Sequence, residues 1–152
     1  MKPLTTIQLN DVLMNNPVTK KYYIGTFPGC VIPAVKSKKY SFITNTDPHH
    51  KGGEHWNAWV VHGEKIVFFD SFGRDPTDSS FPETYKELLN RFKVYKYSKT
   101  QVQNFTSFTC GYYCIHFIYI LSLGLDFEFF LNEYTDNFEK NDLTVIDFVN
   151  NL

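Results

Sequence analysis

One cysteine of the sequence has the setting of a reactive thiol. Cys110 stands where a polar loop gives way to the most apolar segment of the chain, and Gly111 follows it. That segment predicts a buried helix, and the positive N-terminal end of a helix favours a thiolate. Gly111 would let a substrate or another backbone approach closely. The alternative for Cys110 is a buried structural cysteine, which is common for this residue type.

A histidine and an aspartate stand at the two open ends of a predicted hairpin. Residues 56–61 and 65–69 are apolar almost throughout, and residues 62–64 between them are typical of a turn. Antiparallel pairing would bring Asp70, after the second strand, beside His55, before the first. A carboxylate that orients an imidazole can make it the base for a thiol, so the sequence predicts a cysteine-based hydrolytic site.

Simpler explanations remain open at this stage. Without the pairing, Asp70 is as well explained as the first residue of a turn before Gly73, and His55 as a surface histidine. The other four histidines have weaker settings for a base. They lie in a loop interior, at a probable turn, or inside the apolar helix: His49, His50, His62 and His116.

Some polar residues could serve as donors to an oxyanion or as ligands for a metal. The side-chain amide of Gln103 could stabilise an oxyanion together with the backbone N–H of Cys110, but Gln101 is close by and spacing alone does not choose. Cys114 and His116 share the segment of Cys110, yet two more ligands would be needed for a metal site. We therefore predict no metal and expect Cys114 to be a core residue.

The predicted elements form an α+β domain, with helices around a mixed, mostly antiparallel central sheet. Four segments favour strands: 40–46, 56–61, 65–69 and 93–97. Five segments favour helices: 5–15, 82–92, 110–123, 126–134 and 141–152. Residues 25–33 are rich in glycine and proline and predict turns. With no linker or repeat, the sequence predicts one domain over 1–152.

Composition narrows the function classes further. The chain has 152 residues, 43% of them hydrophobic, and a net charge of -1 from 15 Lys and Arg against 16 Asp and Glu. It therefore has no global electrostatic reason to bind nucleic acid or an anionic membrane. Three cysteines do not suggest a disulfide framework, and no apolar leader opens the sequence, so we expect a protein that is not secreted.

Five segments in register resemble the adenain family of adenovirus maturation proteases and, more widely, the SUMO- and ubiquitin-like deconjugating proteases. They are YIGTF at 23–27, ITNT at 43–46, GGEHW at 52–56, FFDSFG at 68–73 and QNFTSFTCG at 103–111. The resemblance implies a papain-like architecture, with the nucleophile at the N-terminus of a buried helix. It also selects Gln103 over Gln101, because the adenain pattern has seven positions from Gln to Cys and the deconjugases typically have six.

By this resemblance, Cys110 is the nucleophile, His55 the base, Asp70 the orienting acid and Gln103 the oxyanion-hole residue. The resemblance also implies a narrow substrate channel beside the scissile bond. Five residues are predicted to contact substrate there: Asn45, Gly52, Gly53, Trp56 and Gly111.

The function implied is a viral-type cysteine endopeptidase that processes capsid or core precursors at Gly-containing sites during virion maturation. The alternative is an isopeptidase that removes SUMO or another ubiquitin-like modifier, and a non-catalytic binding domain is the third reading. We expect a monomer without cofactor, in the host cytoplasm, the nucleus or the virion. Residues 91–99 contain no cysteine, so an activating peptide would not be disulfide-linked, and a nucleic-acid activator is doubtful.

Overall fold

The computed structural model describes residues 2–34, 37–46 and 55–152. In these ranges, five strands form one sheet in the order β1-β2-β3-β4-β5. They are β1 (Tyr23–Pro28), β2 (Lys39–Asn45), β3 (Trp56–His62), β4 (Lys65–Phe69) and β5 (Val94–Lys96). The helices are α1 (Thr6–Asn15), α2 (Thr84–Leu89), α3 (Cys110–Ser122), α4 (Phe127–Leu131) and α5 (Phe138–Asn150).

The sheet is mixed, with antiparallel pairs at its centre and parallel pairs at its edges. Strands β2, β3 and β4 pair antiparallel, whereas β1 and β5 join the sheet in parallel. Strand β1 corrects the first part of our prediction of turns over residues 25–33, because residues 25–28 belong to a strand. Its pairing with β2 is irregular between Tyr23 and Thr26, where Gly25 adopts a φ of +139°. Because β1 contains a glycine and ends in a proline, its composition is like that of a turn.

Strand β3 is buried on both faces, which explains its apolar run. Trp56 and Ala58 belong to a core that the sheet shares with α1, α3, α4 and α5. Trp59 and Val61 belong to a second core on the other face, beneath α2. The molecule therefore has three layers, and α3 packs on β3 at the centre, where the predicted site lies.

Helix boundaries differ from the sequence predictions where capping decides them. Helix α5 begins earlier than residue 141, because the Asn137 side chain caps it by accepting from the Lys140 N–H. Asn141 is instead buried, and its side chain donates to the Val102 and Thr135 carbonyls. Helices α2 and α4 are shorter than predicted, since their last turns continue as i→i−3 hydrogen bonds. No helix among the described residues is long and apolar enough to cross a membrane.

Candidate active site

The β3–β4 hairpin brings the predicted base and acid together. Its register, continued past the strand ends, sets Asn57 opposite Asp70 and His55 opposite Phe72. The His55 Nε2 donates to Asp70 Oδ1 at 2.5 Å. Asp70 also starts the turn to Gly73, whose N–H donates to the Asp70 carbonyl at 2.9 Å. Both explanations offered for Asp70 therefore hold, the turn through its backbone and the His55 contact through its side chain.

The predicted nucleophile meets the same imidazole. Cys110 is the first residue of α3 and is buried, and its thiol is a hydrogen-bond partner of the His55 side chain. Because Nε2 of His55 is bound to Asp70, Nδ1 is the ring nitrogen left for the thiol. The Asp70 carboxylate, the His55 imidazole and the Cys110 thiol are therefore hydrogen-bonded in that order at the N-terminus of a 13-residue helix.

The Asp70 carboxylate is buried and held by donors besides His55. Asn57 Nδ2 donates to Oδ1 at 2.8 Å, while the Arg74 backbone N–H and Nε donate to Oδ2 at 3.1 and 3.0 Å. Arg74 Nη2 lies 3.3 Å from Oδ1. Burial by itself would raise the pKa of Asp70, but the hydrogen bonds from His55 and Arg74 hold that pKa well below its usual range. The carboxylate is therefore ionised at neutral pH.

The His55 imidazole is held in its charged form. Burial by itself would lower its pKa, but the hydrogen bonds to Asp70 and Cys110 raise the pKa of His55 to about 9. Phe72 stacks on the ring, with 5.0 Å between the centroids and 16° between the planes. The imidazolium form of His55 would therefore lie beside the Cys110 side chain.

The turn after Asp70 is joined to the loop that carries Gln103. The Ser71 carbonyl accepts from the N–H groups of Val102 and Gln103 at 2.9 and 3.2 Å. Ser71 Oγ donates to Gln103 Oε1 at 2.5 Å. Gly73 has a φ of +75°, and a Cβ there would lie 2.5 Å from the Lys99 carbonyl oxygen. This close approach fixes the Gln103 loop against the turn that follows Asp70.

The Gln103 side-chain amide points toward Ser107. Its Nε2 lies 3.0 Å from the Ser107 carbonyl oxygen and 3.1 Å from Ser107 Oγ, and both accept from it. Donation to an oxyanion therefore requires Gln103 to exchange one of these bonds. Ser107 Oγ can release it, because this hydroxyl also has Asn104 O and Thr109 Oγ1 as partners. Gln101 instead donates its side-chain N–H to the Gln103 carbonyl at 2.9 Å.

Comparison with known proteins shows to which family the chain belongs. The family model described as adenovirus endoprotease matches residues 21–137, more than half of the chain. The chain belongs to this family. It is 32% identical to the protease of Bovine adenovirus 4 over 111 residues, which is 64% of this chain and 55% of that protein. It is 31% identical to the protease of Bovine adenovirus 7 over 112 residues, 64% of this chain and 54% of that protein.

The chain spans about half the length of the curated adenovirus proteases it matches. A solved structure, the ASFV pS273R protease, superposes with a TM-score of 0.63 over 93% of this chain and 64% of that one. The identity between the two is 16%, so the match bears on the fold alone. These findings confirm the predicted family resemblance and the α+β fold of a cysteine protease.

The five residues predicted to contact substrate differ in their surroundings in this member of the adenovirus endoprotease family. Trp56 is buried, and its Nε1 donates to the Leu4 carbonyl at 3.0 Å. A Cβ on Gly111 would lie 3.2 Å from Leu4 and from Trp56, so the segment before α1 covers both. Asn45 ends β2 directly opposite Trp56. Gly52 and Gly53 lie outside the described residues.

Two other titratable residues, His116 and Cys114, are buried in the core. His116 is buried between the rings of Phe130, Phe148 and Tyr134, bonds the Tyr134 hydroxyl, and burial lowers its pKa to about 4. Cys114 lies in the core, as predicted, and its Sγ donates to the Trp56 carbonyl. Within the described ranges, no group of three His, Cys, Asp or Glu side chains is suited to hold a metal ion.

Three residues that support the site were missed by sequence reasoning. Arg74 and Asn57 both donate to Asp70. Asp142, in α5, accepts from the hydroxyls of Thr109 and Tyr113 at 2.9 and 2.6 Å, on either side of Cys110 in the chain. An arginine four residues after the acid was a usable signal. Asp142 gave none, because α5 is distant in sequence from Cys110.

Proposed function

We propose that this chain is a cysteine endopeptidase of the adenovirus-endoprotease type, with Cys110 as nucleophile and His55 as base. The hydrogen-bonded series from Asp70 through His55 to Cys110 carries this proposal. It supplies a thiolate, a proton donor and a group that fixes the imidazole, which together suffice for acyl transfer without a metal or cofactor.

In the first half of the reaction, the Cys110 thiolate attacks the scissile carbonyl carbon and a sulfur–carbon bond forms. The negative charge moves to the carbonyl oxygen, where the Cys110 backbone N–H and a Gln103 amide N–H released from Ser107 stabilise it. The tetrahedral centre collapses, the carbon–nitrogen bond breaks, and the leaving nitrogen takes the proton of the His55 imidazolium. A thioester on Cys110 and a free amine result.

In the second half, water attacks the thioester. The now neutral His55 imidazole accepts a proton from that water, and a second oxyanion forms in the same position. The carbon–sulfur bond then breaks, which releases the carboxylic acid product and regenerates the thiolate beside an imidazolium. Asp70 stays ionised throughout, because its donors from Arg74 and Asn57 do not depend on the charge of His55.

The substrate class follows from the family. The protease relatives come from adenoviruses, so the expected substrates are capsid or core precursors cut at Gly-containing sites during virion maturation. The chain would act as a monomer in the infected cell or the virion. No disulfide-linked activator is proposed, because residues 91–99 contain no cysteine.

The test is a cleavage assay on the chain and two single-cysteine variants. Cys110→Ala removes the nucleophile, while Cys30→Ala removes an exposed cysteine outside the site and serves as the matched control. Substrates are short Leu-x-Gly-Gly reporters, candidate capsid precursors, and C-terminal SUMO and ubiquitin reporters. We expect cleavage of the peptides and precursors that Cys110→Ala abolishes and Cys30→Ala leaves intact. Cleavage that survives Cys110→Ala, or release from the full modifiers only, would overturn the proposal.

A further inference from the structure

Two aromatic side chains extend outward from the catalytic imidazole. Phe72 stacks on His55, and Phe105 stacks on Phe72 with 5.2 Å between centroids and 27° between planes. Phe72 and Phe105 are here named the aromatic ledge. Phe72 is half-buried, whereas Phe105 is 70% exposed. The ledge therefore starts at the base and ends in open solvent.

The loop that carries Phe105 does not depend on that ring alone. Residues 103–109 are anchored by polar contacts, in which Gln103 binds Ser71 and Ser107 and Thr109 binds Asp142. An aromatic ring left largely in water gains little of the free energy that burial would give it. Contiguous exposed apolar surface is typical of ligand-binding sites, and Phe72 and Phe105 form such a surface beside His55.

The position of the ledge says which part of a substrate reaches it. In the proposed reaction the His55 imidazolium gives its proton to the leaving amine, so the residues that follow the scissile bond pass along this ring. One face of the ring is covered by Phe72, and Phe105 continues the same stack. The first residues of the leaving group are thus the part of a bound polypeptide nearest to the ledge.

We propose that the aromatic ledge binds an apolar side chain on the leaving-group side of the substrate, within the first two residues after the scissile bond. Phe105 is then a specificity residue that favours leucine or phenylalanine over glycine at one of these positions. The inference rests on the proposed function, since it assumes that the polypeptide is cut at Cys110. It adds a preference after the cut to the Gly-containing preference before it.

The test measures kcat/KM on peptides that share one acyl side. They carry Gly-Gly, Leu-Gly or Gly-Leu after the scissile bond, and the chain is compared with Phe105→Ala, Phe105→Tyr and Phe108→Ala. Phe108 is the matched control, because it is an exposed phenylalanine in the same loop that is not part of the ledge. We expect one leucine peptide to be preferred over Gly-Gly by about tenfold. Phe105→Ala should bring that ratio to within about twofold, while Phe105→Tyr and Phe108→Ala keep it.

Binding separates failure of this inference from failure of the proposed function. The peptides are titrated against Cys110→Ala, and against the double variant with Phe105→Ala. If no peptide is cleaved, the proposed function fails, and a leucine preference in binding that depends on Phe105 still supports the ledge. Equal rates or affinities for all peptides, or a leucine preference that survives Phe105→Ala, would overturn the inference. A self-association that Phe105→Ala abolishes without changing specificity would overturn it too, since the ledge would then contact a second copy.

Discussion

Arg74 binds the same carboxylate that orients His55. Its backbone N–H and Nε both donate to Asp70 Oδ2, and its guanidinium also lies 4.5 Å from the centre of the Phe81 ring. The Asp70 carboxylate is thus held at both oxygens, by His55 and Arg74 at Oδ1 and by Arg74 at Oδ2. The ion pair and the cation–π contact together hold the turn after β4 in one conformation.

Loss of the Arg74 side chain should loosen the acid and reduce stability. Arg74→Ala removes two donors from a buried carboxylate but keeps the backbone N–H, so we expect a loss of about 2 kcal/mol in the free energy of unfolding. Urea unfolding measures it, with Arg91→Ala as a matched removal of an exposed arginine. Arg74→Lys should restore part of the loss. Equal stabilities of the Arg74→Ala and Arg91→Ala variants would show that the contact to Asp70 contributes little.

Removal of the Asp70 charge should weaken the base while a side chain of the same shape stays in place. Asp70→Asn keeps the shape of the side chain but cannot stabilise the imidazolium, so we expect kcat/KM to fall by ~10³-fold. The same substitution at Asp75, five residues on, should leave activity within about twofold, because that carboxylate binds Thr77 rather than His55. Activity of Asp70→Asn close to that of the unmodified chain would contradict the assigned role.

The raised pKa of His55 predicts a limit to activity at high pH. In the proposed reaction the leaving amine takes its proton from the imidazolium, so kcat/KM should decline as His55 deprotonates around pH 9. A pH–rate profile from 6 to 10.5 measures this decline. In Asp70→Asn the residual activity should decline at a lower pH, since the carboxylate that raises the pKa of His55 is gone. If activity in Asp70→Asn declines at the same pH as in the unmodified chain, a group other than His55 is responsible for the decline.

The same pKa shift makes stability depend on pH. Protonated His55 is favoured in the folded state, where its pKa is about 9, over the unfolded state, where it is near 6.5. This contribution is therefore fully present below about pH 6.5 and is lost as the pH rises through about 9. Denaturant unfolding between pH 6 and 9.5 should show the decline, and His55→Gln should flatten it. An equal decline in both proteins would exclude His55 as its cause.

Gln103 and Gln101 should differ strongly in their effect on turnover. Gln103→Ala removes a donor to the oxyanion, so we expect kcat to fall by about 10²-fold with KM nearly unchanged. Gln101→Ala removes only a bond to the Gln103 carbonyl, and its effect should be several-fold at most. Steady-state kinetics on one peptide separate kcat from KM. A larger loss from Gln101→Ala would reassign the oxyanion donor.

The centre of the site could be predicted from the sequence because it depends on local pattern. The hairpin register follows from two apolar runs and the turn between them, and it alone brings Asp70 to His55. The family resemblance selected Gln103 over Gln101 and implied the papain-like architecture. The contacts of Asp142 and the cover of Trp56 by Leu4 could not be predicted, since they depend on packing between elements far apart in the chain. Strand β1 was missed because Gly25 and Pro28 have turn composition.

The reactivity of the three cysteines tests the central claim most directly. At pH 7, brief treatment with iodoacetamide followed by peptide mass mapping gives an alkylation rate for each thiol. We expect Cys110 to react fastest although it is buried, ahead of the exposed Cys30, while Cys114 stays unmodified. The alkylation rate of Cys110 should fall in His55→Ala, because this substitution removes the imidazolium beside the Cys110 thiol. A Cys110 that reacts no faster than Cys30, or at the same rate without His55, would contradict the account.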